Sequence, residues 1–319
     1  MRRLLVSLLA MAAVLFALDR AIGAGMERLF RTSTSVEDGD VLRRAWNARA
    51  PIVICGSSRA MHHYAVDSLG DELGIPAWNL GRDGAFGSLY PFGCAGVLLR
   101  HYTPRVWILE VERSVVRGPE LLARLSCFLP YADDEPVARE VVGLRSREEP
   151  LRLLSRTYRY NSLVLSLLSP RLGKSVRPRR GFLPLEGAYH PPARPAPEPR
   201  LPESVVWPPV DSLKLRYLRR TIDLLHGRGV VVLATDGPRF ARSTDDSLGA
   251  VREAHELGRL FAGMNVPFLD LSSERLPQFR DPRLYKDESH LNEAGALQLT
   301  RVLADSLRAR GFAAARPAQ

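Results

Sequence analysis

Pro51-Ile52-Val53-Ile54-Cys55-Gly56-Ser57-Ser58-Arg59 is the stretch that decides the fold. A short β-branched apolar run that ends in a glycine and two serines predicts a buried strand turning sharply into a helix. Gly56 permits close backbone approach in that turn. The serines fall at the helix start, where free N–H groups and the dipole favour negative charge. Taken alone, a serine there is an ordinary helix N-cap, the role serine most often plays at such a position.

Outward from this unit the pattern repeats. Further strand candidates lie at 77–80, 106–111, 229–235 and 266–271, and helical periods run over 59–73, 89–102, 213–226, 248–263 and 293–310, the last with Gly311 as its C-cap. Strands alternating with helices predict an α/β fold: a central parallel sheet in a three-layer αβα sandwich. Ligands of such sheets bind at the carboxyl ends of the strands, where Ser57-Ser58, 81–84, 112–114 and 235–239 fall. The alternation breaks between about Gly118 and Pro209, a stretch rich in proline toward its end and apolar at helical spacing over 151–168. So long an interruption predicts a helical, proline-rich cap. The expected organisation is a membrane segment 1–31, a first catalytic part 32–117 opening on a polar lead-in, the cap 118–209, a second catalytic part 210–312 and a tail 313–319.

Met1-Arg2-Arg3 precedes an uncharged apolar run from Leu4 to Leu18. The basic flank and short apolar centre are those of a secretion signal, yet Asp19-Arg20 lie just before the one small-residue cleavage candidate, and Ile22, Met26, Leu29 and Phe30 continue a helical period. An uncleaved anchor with an exported body is expected under the positive-inside rule. Fifteen residues at about 1.5 Å each are short of a hydrocarbon core of about 30 Å, so thinning or snorkelling is needed.

The net charge of +10 would suit an anionic partner. The excess is scattered arginine, without a stripe of interleaved aromatics, and no nucleic-acid partner is expected. Cys55, Cys94 and Cys127 have no metal-ligand or C-x-x-C spacing. No metal and no organic cofactor is expected, and a Cys94–Cys127 disulfide stays open.

Asp287-Glu288-Ser289-His290-Leu291-Asn292, ahead of the last helix, supplies what a serine nucleophile lacks. The histidine takes the hydroxyl proton, and the carboxylate fixes the histidine's tautomer and stabilises its cation. His62 and His63 lie along the helix that follows Ser58 and are expected to point elsewhere, while His190 and His255 read as surface residues.

Together these motifs resemble the SGNH (GDSL-like) hydrolase superfamily over roughly 52–310. The resemblance implies Ser58 as nucleophile with Ser57 at the family's aspartate position, and Asp287 and His290 as its partners. Asn79-Leu80-Gly81-Arg82-Asp83-Gly84-Ala85 resembles the second block, with Gly84 as the oxyanion glycine and Gly81 in reserve. The third block departs: the family's Gly-x-Asn-Asp is replaced by Glu112-Arg113-Ser114, so Arg113 or Ser114 would have to stand in as oxyanion donor. Loss of one such donor costs on the order of 3 kcal/mol. Arg59, Asn79, Asp236 and Arg239 are expected to line the substrate site. The Gly-Ser-Ser variant with a membrane anchor resembles the branch of D-alanyl transfer and alginate O-acetyltransferase proteins. That implies a membrane-anchored, extracytoplasmic esterase or acyltransferase acting on acyl groups of envelope glycans. The alternative is a non-catalytic envelope protein that keeps the fold and binds a glycan or assembly partner.

Overall fold

A computed structural model describes residues 1–32, 40–164, 179–191 and 208–313. They fall into two compact units, one drawn from Met1–Arg43 and Leu122–Arg177, the other from Arg44–Leu121 and Pro178–Gln319.

The second unit is built on five parallel strands, β1 (Ile52–Cys55), β2 (Ala77–Asn79), β3 (Val106–Glu110), β4 (Val231–Asp236) and β5 (Phe268–Asp270), in the order β2-β1-β3-β4-β5. Every residue of β1, β2 and β3 is buried, which is why those segments read as continuous apolar runs rather than alternating ones. Ile52 pairs with Ala77 on one side and Val106 on the other. The chain's progress across the sheet thus reverses at β1 and β3, leaving a crevice at their carboxyl ends. Gly56 lies in that crevice: a Cβ there would stand 2.6 Å from the Glu110 carbonyl oxygen.

The helical period after Ser58 is split in two, Ser58–His63 and Val66–Leu73. Tyr64 between them is extended and fully buried, and sends its hydroxyl to Glu110 and Thr235 at the ends of β3 and β4. The Thr300 hydroxyl receives the Ala65 N–H at 2.9 Å, supplying the acceptor that the broken helix withholds. The helices Leu89–Leu98, Ser212–His226, Thr244–Ala262 and Glu293–Arg308 flank the sheet, and the last packs on Ser58–His63 and Val66–Leu73. Gly311, just past it, has φ +79.

The polar lead-in contains a helix, Asp40–Ala48, whose Trp46 stacks on His101 at 4.0 Å between ring centroids. The three cysteines are buried free thiols, so no Cys94–Cys127 disulfide forms.

In the first unit, Arg2–Thr32 is a single helix of 31 residues with a mean hydropathy of 2.0 over its most apolar window, long and apolar enough to cross a membrane. The uncharged run of fifteen residues is only its first half: the helical period continues through Ile22, Met26, Leu29 and Phe30, and Asp19 and Arg20 lie inside the helix. Phe30 is buried against Tyr131 and Tyr160. The apolar 151–168 region forms the short helices Glu149–Arg152 and Thr157–Leu163. Its end, and most of the proline-rich return, lie outside the described residues.

Candidate active site

The turn after β1 carries Ser58 into the first position of its helix, and neither serine caps that helix with its side chain. Ser58 Oγ instead lies 2.8 Å from His290 Nε2. His290 Nδ1 is 3.0 Å from both Asp287 oxygens, which makes it the donor and leaves Nε2 as the acceptor for the serine proton. The serine, base and orienting acid expected from the sequence are thus brought together.

The loop that holds Asp287 and His290 is fixed from several sides. Tyr285 and Leu291 form an antiparallel bridge, and Lys286 N–H donates to the His290 carbonyl at 2.8 Å, so the residues between make a tight turn. Asp287 Oδ1 also accepts the N–H groups of Ser289 and His290 at 2.9 and 3.0 Å. Burial raises the Asp287 carboxyl, but those amides and the His290 ring outweigh it and hold the group below the usual aspartate range. Asn292 caps the last helix by accepting from Gly295 N–H at 3.1 Å, and its amide group donates to the carbonyls of Gly187 and Arg283.

The residues expected on the oxyanion side differ in how they are engaged. The amides of Ser58 and Gly84 have no acceptor among the described residues, and Gly84 adopts φ +68. Gly81 does not qualify: its N–H donates to Asn79 Oδ1 at 2.7 Å. Arg113 is engaged elsewhere through its backbone. Its backbone N–H is held by Glu253 at 2.6 Å, and the residue is exposed along a cavity of about 430 Å³ with Val116, Val210 and Leu257, none of which belongs to the triad. Ser114 donates to Glu112 at 2.7 Å.

Three residues expected to contact substrate are structural. Asn79 is fully buried and donates to the carbonyls of Ala60 and Tyr64. Arg59, 3% exposed, donates to Asp236 Oδ1 at 2.9 Å and to the carbonyls of Gly237 and Val111 at 3.2 and 2.7 Å, with Glu110 Oε1 at 3.4 Å. Asp236 is likewise closed off. Burial would lower Arg59, but the surrounding carboxylates outweigh it and keep the guanidinium charged. Burial pushes Asp236 up to about 7 and Glu110 above its usual range, with Arg59 opposing both. Tyr64 and Thr235 donate to Glu110 Oε2 at 2.5 and 2.9 Å and Gly237 N–H donates to Oε1 at 3.1 Å, which ties the ends of β3 and β4 to the end of the helix that carries Ser58. Arg239, partly exposed, pairs with Glu253 at 2.8 Å.

Sequence reasoning missed the supports of the triad. His63 is fully buried and accepts the Leu291 N–H at Nε2, 3.1 Å, steadying the base's loop; burial and then the Arg59 charge hold it well below the usual histidine range, so it stays neutral. His62 meets the His290 ring edge-on at 5.5 Å and faces Leu183 O at 2.7 Å and Asp83 at 3.1 Å. Leu183 and Gly187 belong to a strap, 179–191, that bonds to Met61, Asn79 and Glu293 as well. The adjacent pair His62-His63 was the one visible signal; the strap has none, because its contacts span more than a hundred residues. His190 and His255 are exposed. No group of residues able to hold a metal occurs among the described residues.

No family model matches the chain, and no curated protein matches it in sequence.

Proposed function

We propose that the chain is a membrane-anchored, extracytoplasmic serine esterase or acyltransferase of SGNH type. The observation that carries this reading is the relay Ser58 Oγ to His290 Nε2 at 2.8 Å, with Nδ1 held by Asp287 at 3.0 Å. Ser58 attacks an ester carbonyl as His290 takes its proton. The amides of Ser58 and Gly84 receive the oxyanion, and His290 then protonates the departing alkoxide. Water or a second hydroxyl resolves the acyl-serine by the same steps in reverse. Acyl groups on envelope glycans are the proposed substrates, on the strength of the motif resemblance and the inferred location.

The finer architecture belongs to the same proposal. Right-handed crossovers in the order 2-1-3-4-5 would put Ser58–His63 and Val66–Leu73 on one face of the sheet and the helices that follow β2, β3 and β4 on the other, a three-layer αβα sandwich. Packing of Glu293–Arg308 on the first pair, and of Leu89–Leu98 on Ser212–His226, supports it. The stretch 118–209 would serve as the cap. An uncleaved anchor is favoured because the segment that cleavage would remove carries packing of its own: the Asp19 carboxylate accepts from the Ser155 hydroxyl and the N–H groups of Arg156 and Thr157, and Gly23 lies under Arg156.

Hydrolysis of a panel of acetylated glycans by the detergent-solubilised full chain tests the reading, with Ser58→Ala as control. Serine-dependent acyl release is expected; release equal in the variant would refute it. A reporter fused after Gln319 should be active only outside the cytoplasm, and the protein should resist a high-salt wash of membranes. The rival, a non-catalytic binding protein, draws on the replaced third block and predicts an intact relay that does not turn over.

A further inference from the structure

The helix Arg2–Thr32 changes character at Asp19. From Leu4 to Leu18 its large apolar side chains are between 48% and 64% exposed. From Asp19 onward one face of it is covered by its own unit, although Ile22 stays 51% exposed: the Asp19 carboxylate accepts the Ser155 hydroxyl at 2.5 Å and the N–H groups of Arg156 and Thr157 at 2.9 and 3.1 Å. Residues 155–157 therefore mark the level at which the helix would leave a lipid phase.

Two large apolar residues are bare at this same level. Leu151 and Leu154 are 70% and 68% exposed, and Arg20 donates to the Leu154 carbonyl. Beside them lies a cavity of about 330 Å³ lined by Arg20, Arg139 and Arg159 together with Pro150, Leu153 and Leu154. No acidic residue lines it among the described residues. Two nearby carboxylates are shared among the three guanidinium groups: Asp19 pairs with Arg20 at 3.0 Å while accepting from the 155–157 backbone, and Asp133 is divided between Arg139 and Arg159. Guanidinium groups against an apolar wall, two residues beyond the end of an apolar helical run, match a phospholipid at the bilayer surface. The phosphate would face the arginines and the first acyl carbons the leucines.

We propose that the unit formed by Met1–Arg43 and Leu122–Arg177 rests on the membrane with Leu151 and Leu154 inserted at the interface and a phospholipid headgroup held by Arg20, Arg139 and Arg159. This rests on the reading of Arg2–Thr32 as a retained anchor. Leucines bare at the anchor's exit would continue the lipid contact that the helix begins, and that continuity singles out a bilayer as their occupant.

The test uses the full chain reconstituted in vesicles of phosphatidylcholine with phosphatidylglycerol. Nitroxide labels are placed at Leu151→Cys and Leu154→Cys, at Val14→Cys on the helix, and at Leu248→Cys, an exposed position of the helix Thr244–Ala262. The native cysteines are buried, and wild type sets the background. Labels at 151 and 154 are expected to be accessible to oxygen and protected from a water-soluble nickel chelate, as at 14 and opposite to 248. Labels at 151 and 154 that behave like 248, with 14 in lipid, would overturn the proposal while leaving the anchor intact. A label at 14 in water would overturn both.

For the headgroup, wild type is expected to retain phosphatidylglycerol through detergent extraction as seen by native mass spectrometry. Arg139→Gln with Arg159→Gln should lower that retention at least tenfold. Arg139→Gln alone, at a side chain 60% exposed, provides a folded variant that should lose a smaller share. Undiminished retention in the folded variants would overturn the headgroup assignment.

Discussion

Replacing Arg59 with glutamine separates a structural role from a substrate-binding one. The guanidinium makes three hydrogen bonds of 2.7 to 3.2 Å and lies among Asp236, Glu110 and Glu112, with its side chain 3% exposed. Glutamine can replace at most one or two of these bonds and none of the charge. Breaking a buried ion pair by removing one partner costs about 3–5 kcal/mol, mostly as the penalty of the carboxylates left behind. For a unit of this size each kcal/mol lowers the melting temperature by about 2–4 °C, so a fall of roughly 6–20 °C at pH 7 is expected. The penalty should depend on pH with a definite sign. Burial already holds Asp236 at about 7 in the folded chain, above its ordinary 3.8, and loss of Arg59 moves it further up. A raised carboxyl costs stability as pH climbs through the gap between unfolded and folded values, so the penalty is greatest near pH 8 and shrinks toward pH 4. Calorimetric melts at pH 5, 6, 7 and 8 measure it. A shift below about 2 °C, or one independent of pH, would refute the buried-cluster account, as would a raised Michaelis constant with unchanged melting.

Three further outcomes follow from the geometry. Ser58→Ala and His290→Ala should each lower turnover by about four to six powers of ten and the double variant no further, since members of one relay are not additive; a multiplicative loss in the double variant, measured by single-turnover kinetics, would contradict the relay. Gly56→Ala puts a Cβ 2.6 Å from the Glu110 carbonyl oxygen and forces the nucleophile's turn away from β3; turnover should fall about a hundredfold with Ser58 still present, and unchanged kinetics would show that the turn tolerates the shift. Burial lifts Glu120 from 4.5 to about 7, with Lys214 and the amides of Ser88 and Leu89 opposing. Its contribution is therefore fully present below pH 4.5 and lost as pH rises through 7, a change on the order of 3 kcal/mol that Glu120→Gln should abolish in urea melts taken across that range.

The sheet was legible because parallel strands buried on both faces leave unbroken apolar runs: the expected segments at 52–55, 77–80, 106–111, 229–235 and 266–271 each contain an observed strand or most of one. The break at Tyr64 was not legible, because it depends on Glu110 and Thr235 receiving the tyrosine hydroxyl from distant parts of the chain. For the same reason Arg59, Asn79 and Asp236 read as substrate contacts: a polar residue at a strand's carboxyl end looks alike in sequence whether it faces a ligand or another buried charge. Ser58, Asp287 and His290 were legible because their local spacing already carries the chemistry. The extent of the helix Arg2–Thr32 was legible in the period that Ile22, Met26, Leu29 and Phe30 continue, whereas the backbone of 155–157 that receives Asp19 is a partner the local sequence does not reveal.

The central claim is that Ser58 is a nucleophile activated by His290. Reaction of the full chain with a fluorophosphonate, followed by peptide mass spectrometry, tests it most directly. The account predicts a single adduct on Ser58, abolished by Ser58→Ala, strongly slowed by His290→Ala and largely kept in Ser57→Ala. An adduct on Ser57, or an unlabelled Ser58 in folded wild-type protein, would contradict it.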